Sequence, residues 1–102
     1  MNHFLLICIL LVSGVVNAQN TGGISGKLTD KEFNNEPLAF ANVLIQGTTK
    51  GTTSDFDGNY NIDGLEPRNH VVLFSFVGYK TIAIETLIIA GKTNEINIVL
   101  EA

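Results

Sequence analysis

The chain has 102 residues, six basic against ten acidic side chains, a formal charge of −4 and a single cysteine. That balance excludes the broad basic face needed to meet nucleic-acid phosphates, and one cysteine excludes a disulfide framework. What remains is room for one small, mildly acidic domain.

Met1-Asn2-His3 leads into an apolar run from Phe4 to Val12, and the segment closes on Val16-Asn17-Ala18. This pattern predicts a secretory signal peptide over residues 1–18, too short in its apolar part for a spanning helix. Cys8 lies inside the run, too early for a lipidation site, and would leave with the peptide. Cleavage after Ala18 would leave residues 19–102 as the mature domain, 84 residues (102 − 18) that keep every charged side chain. A domain of that size buries only about 60% of the surface its unfolded chain exposes. With no cysteine left, its stability must come from the apolar core, a bound ion or docking onto something larger.

Ile24, Gly26 and Leu28 alternate with Ser25, Lys27 and Thr29, which predicts a half-buried first strand. Asp30 to Pro37 is rich in turn formers and ends on a proline, so it reads as a loop leading to an edge. A second strand is predicted over 38–46, with Ala41, Val43 and Ile45 on one face. Between Gly47 and Ile62, four threonines favour extended backbone while Gly47, Gly51 and the Asp57-Gly58 pair favour turns. The expectation is a short strand over 50–54, then a hairpin turn into Tyr60 and Ile62. Residues 70–77 are the most apolar stretch, expected to be central and covered on both faces. A bend at Gly78-Tyr79-Lys80, a strand carrying Ile82 and Ile84, a turn at Gly91 to Asn94, and a last strand alternating Ile96, Ile98 and Leu100 complete the chain. No segment shows apolar residues at helical spacing over three turns. Seven short strands describe an all-β antiparallel sandwich with Greek-key connections. Its expected core is Ile24, Leu28, Val43, Ile45, Ile62, Phe74, Phe76, Ile84, Ile98 and Leu100.

Four ordered blocks carry a family resemblance: residues 24–30, 36–43, 47–60 and 74–79. Through them the chain resembles a carboxypeptidase-regulatory-like domain, a transthyretin-like or immunoglobulin-like sandwich, over residues 22–101. Such domains form N-terminal extensions of SusC-type, TonB-dependent outer-membrane receptors in Bacteroidetes. The resemblance implies a periplasmic or outer-membrane location in a Gram-negative bacterium and, as partner, the plug and barrel of a receptor. The chain stops at Ala102 without plug, barrel or TonB-contacting segment, so it is expected to be either a fragment of a receptor or a stand-alone secreted domain.

Few residues offer chemistry. Asp55 and Asp57 stand at alternate positions, as in a calcium loop, but counting from Asp55 the sixth residue is Tyr60, where an EF-hand loop needs glycine. The competing reading is that both aspartates accept local backbone hydrogen bonds while Gly58 takes a positive φ. His70 is the single histidine beyond the leader and has no cysteine to join it. Ser25, Ser54 and Ser75 lack the context of an activated nucleophile. Phe74 and Phe76 share one face and read as core, leaving Tyr79 as the ring that could stack on a sugar. No catalytic, cofactor-binding or metal-ligating residue is assigned. The expected function is that of a non-enzymatic accessory or protein-interaction domain, the alternative a secreted module binding glycan or a cation.

Overall fold

A computed structural model describes residues 20–102; the expected signal peptide lies outside the described residues. Among the described residues nine short strands, rather than the seven expected, build two packed sheets, because the interrupted last strand counts twice and the two-residue β2 adds another. The first sheet is centred on β1 (Gly22–Asp30), with β5 (Asn59–Leu65) and the two-residue β2 (Glu36–Pro37) antiparallel to it, and β8 (Thr93–Glu95) and β9 (Ile98–Leu100) parallel to it. The second runs β4 (Gly51–Thr53), β3 (Asn42–Ile45), β6 (Asn69–Ser75), β7 (Ile82–Leu87), antiparallel throughout. Between β1 and β2 lies one turn of 3₁₀ helix, Lys31–Phe33, entered through Asp30, whose carboxylate accepts the Glu32 amide, and left through Asn34 in a left-handed conformation.

The sandwich is the architecture that period-two alternation dictates. Ile24 and Leu28 of β1, Val43 and Ile45 of β3, Val72 and Phe74 of β6 and Leu100 of β9 turn inward and are buried. The Tyr60 ring packs edge-to-face on Phe74 between the sheets, centroids 5.6 Å apart. Seven of the ten expected core residues are buried; Phe76, Ile84 and Ile98 are half-buried and pack against them. Leu38, Ala41, Tyr60, Leu65, Val72 and Ile88 complete the core.

Four expectations need correction. The last strand is not one antiparallel strand but two short ones parallel to β1, split at Ile96-Asn97. There the Ile96 amide donates to the Ser25 carbonyl, the Ile96 carbonyl accepts the Tyr60 hydroxyl at 2.7 Å, and the Asn97 side chain accepts the Lys27 amide. A Cβ on Gly26 would overlap that Ile96 carbonyl, so the close approach requires glycine. The second strand begins only at Asn42, because Phe40 adopts a left-handed φ of 62° and bends the chain before it. Asp57-Gly58 does not close a hairpin: β4 pairs with β3 and β5 with β1, so this turn carries the chain from one sheet to the other. Val77 lies beyond the end of β6 and is 91% exposed, rather than covered.

Candidate functional site

Between β4 and β5 the Asp55 side chain organises its own turn. Its Oδ1 accepts the amides of Asp57 and Asn59, each at 2.9 Å, while its carbonyl accepts the Gly58 amide and its amide donates to Asn59. Gly58 takes φ 79°, and a Cβ there would press on the Leu28 carbonyl, whose own amide is bonded to Gly58. Asp55 therefore behaves as the turn reading expects. Among the described residues the Asp57 side chain makes no hydrogen bond, and no cluster of three acidic, histidine or cysteine side chains gathers that could hold a metal.

The other chemistry-bearing residues are engaged structurally. Ser54 is buried beside this turn, where its hydroxyl donates to the Leu38 carbonyl at 2.6 Å and accepts the Ala41 amide at 2.9 Å. One hydroxyl thus satisfies both backbone groups freed by the Phe40 bend. His70 is buried at the opposite end, its Nε2 2.8 Å from the Glu66 carbonyl. Ser25 stands apart from it on β1 of the other sheet, and Ser75 at the far end of its own strand, β6.

Tyr79 is not the free stacking ring expected of it. It is half-buried against the core, edge-to-face with Phe76, and its hydroxyl donates to Asp30 at 2.7 Å. That bond to a carboxylate, with partial burial, pushes the phenol up to about 12. Nearby, Lys31 bonds Glu101 at 3.0 Å and the Lys80 amide donates to the Glu101 carbonyl. Lys31 holds the Glu101 carboxyl below its ordinary range, and Glu101 raises Lys31 in turn. The β6–β7 loop is thereby latched across the end of the sandwich to β1 and the segment after β9.

The exposed aromatic pair is elsewhere: Phe40 and Phe56, 56% and 80% exposed, meet edge-to-face with centroids 5.1 Å apart. Sequence alternation could not single them out, because both sit in loops brought together where Ser54 bonds to Leu38, Phe40 and Ala41. On the outer face of the second sheet, a shallow groove of about 760 Å³ runs over Asn42, Leu44, Thr53, Leu73 and Ser75. These surfaces offer contact area and backbone edges, with no convergence of acid, base and nucleophile.

The family model for the CarboxypepD_reg-like domain matches residues 24–102. TonB-dependent receptor P3 of Formosa agariphila is 37% identical over 97 residues, covering 95% of this chain. TonB-dependent receptor SusC of Bacteroides thetaiotaomicron is 30% identical over 97 residues, covering 93%. In both cases the match spans only 9% of the relative's length. Among solved structures, the minor pilin GBS52 of Streptococcus agalactiae superposes with a TM-score of 0.65 over 81% of this chain and 45% of its own, at 17% identity, a likeness of fold alone. With a family model covering nearly all of the described sandwich, the chain belongs to the carboxypeptidase-regulatory-like (CarboxypepD_reg-like) domain family.

Proposed function

We propose that the chain serves as a non-enzymatic accessory domain of a TonB-dependent outer-membrane receptor, exported to the periplasm, where it presents loops and strand edges to a protein partner. The observation that carries this reading is the 37% identity to a TonB-dependent receptor along 95% of the chain. The engagement of Ser54 and His70 in backbone hydrogen bonds supports a role without chemistry of its own. Envelope fractionation tests it: the chain should travel with the outer membrane, and a photo-crosslinker at Phe56 should join it to a plug or barrel identified by mass spectrometry. Recovery as a free periplasmic monomer, with a reading frame that carries no plug or barrel, would overturn it.

A second reading, a glycan-binding module, is favoured by the exposed Phe40–Phe56 pair, since flat apolar rings can stack on pyranose faces. Retention on a glycan affinity gel that is lost in Phe56→Ala, with unchanged melting, would establish it. Equal retention of both proteins would remove it.

A further inference from the structure

The sandwich has two lateral seams where the edges of its sheets face each other, and they are built differently. On one side β4 meets β5. Lys50 reaches across to the Gly64 carbonyl, and Ile62 beneath is only 6% exposed. On the other side β7 faces β8 and β9, and there Ile82, Ile84, Ile96 and Ile98 are all only half-buried.

The ladder defines what the open side lacks. Ile88 donates to Arg68 directly opposite it, so the register Val72↔Ile84, Phe74↔Ile82 makes the even-numbered residues of β7 bond to β6. Ala83, Glu85 and Leu87 therefore turn their N–H and C=O groups outward. Leu87 finds a partner, because Asn94 Nδ2 donates to its carbonyl at 2.9 Å and to Thr86 Oγ1 at 3.0 Å. Ala83 and Glu85 find none among the described residues, and their amides and carbonyls line up at ladder spacing on a free edge.

We infer that this seam receives an extended segment of a partner protein, added as a strand beside β7. Only an extended backbone satisfies two such donor–acceptor pairs in register. The pleat then specifies the segment. Residues opposite Ile82, Ile84 and Thr86 point inward, where apolar side chains would cover the four isoleucines. Those opposite Ala83 and Glu85 point outward, where a lysine or arginine would meet Glu85 and the domain's net charge of −4. A second copy of this chain is the poorer occupant. The inward side chains of its β7 already pack on its own core, and the association would bring together two acidic domains.

This inference rests on the reading of the chain as an interaction domain, and its test is separate. The probe is a short synthetic peptide alternating valine with lysine and threonine, titrated into the chain recovered from the periplasm of expressing cells. Amide hydrogen exchange and NMR shifts are then read at both edges. Binding should protect Ala83 and Glu85 while leaving Asn61 and Asp63 on β5 unchanged. Serine in place of the valines should weaken binding by about tenfold or more. Ala83→Pro should abolish it, since that amide faces away from β6. Glu85→Lys, which leaves the backbone untouched, should weaken it several-fold. Equal perturbation of both edges, or none, would overturn the inference. So would concentration-dependent protection of Ala83 without peptide, which would assign the edge to self-association. If the peptide binds but the chain never meets a receptor, the receptor reading falls alone. If the chain travels with a receptor while Ala83 and Glu85 stay unprotected in that complex and in the titration, strand addition falls alone.

Discussion

The β4/β5 seam and the β7/β9 seam do the same topological job, closing a sandwich at its side, yet only one is closed. At β4/β5 one strand, β4, is only three residues long, the exposed positions of the longer β5 are Asn59, Asn61 and Asp63, and Lys50 ties the edges together. At β7/β9 the edge strand is six residues long and carries one charge, Glu85. Natural sheets protect edges by shortness, charge and coverage. The first seam uses all three, while the second protects only its Leu87 end, through Asn94. A fold of this size can leave apolar side chains half-covered only where that burial is not needed for stability or where another chain completes it.

The comparison breaks most severely at the two glycines that set the approach of the strands. Gly58→Val on the closed side would place a β-branched residue at φ 79° against the Leu28 carbonyl, and Gly26→Val near the open side would drive Ile96 off β1. Each should cost about 2–6 kcal/mol from strain and overpacking, read as a loss of midpoint in urea unfolding. Wild-type melting of either variant would contradict the close contact assigned there.

Truncating one isoleucine on each side sharpens the contrast. Ile62→Ala should cost about 2–5 kcal/mol, as for a buried aliphatic, and Ile84→Ala clearly less, because part of its side chain already meets solvent. Equal losses would mean that the two seams are equally closed. Ser54→Ala should cost about 1–3 kcal/mol, since it strands the Leu38 carbonyl and the Ala41 amide.

The smallest effect lies at the latch. Folding raises the Tyr79 phenol from 10.0 to about 12, so this stabilisation is complete below pH 10 and is lost as pH rises through about 12. Tyr79→Phe should melt lower near neutral pH and lose stability less steeply across that window. Tyr60, pushed up to about 12 by burial, retains its share of the slope. An unchanged alkaline profile would show that the Asp30 bond does not persist in solution.

Much of the fold was legible because it rests on local rules. Period-two alternation marked β1, β3, β6 and the inward residues of β5, and the glycine of Asp57-Gly58 announced a positive φ. Alternation could also find Ile96, Ile98 and Leu100 but not the interruption between them. That depends on a carbonyl meeting Gly26, which lies 70 positions earlier in the chain. The same limit hid the Ser54 hydroxyl, whose two backbone partners are 13 and 16 residues away, and the Tyr79–Asp30 bond across 49.

By itself the sequence determined an all-β sandwich and its principal core residues, since both follow from side-chain period and turn chemistry within a few neighbouring residues, and it carried its family in four ordered blocks of motif. Tertiary structure alone decided which strands became edges, which edges were guarded and where four isoleucines were left half-covered. Those are properties of sheet order and register, and register depends on partners that no local pattern names.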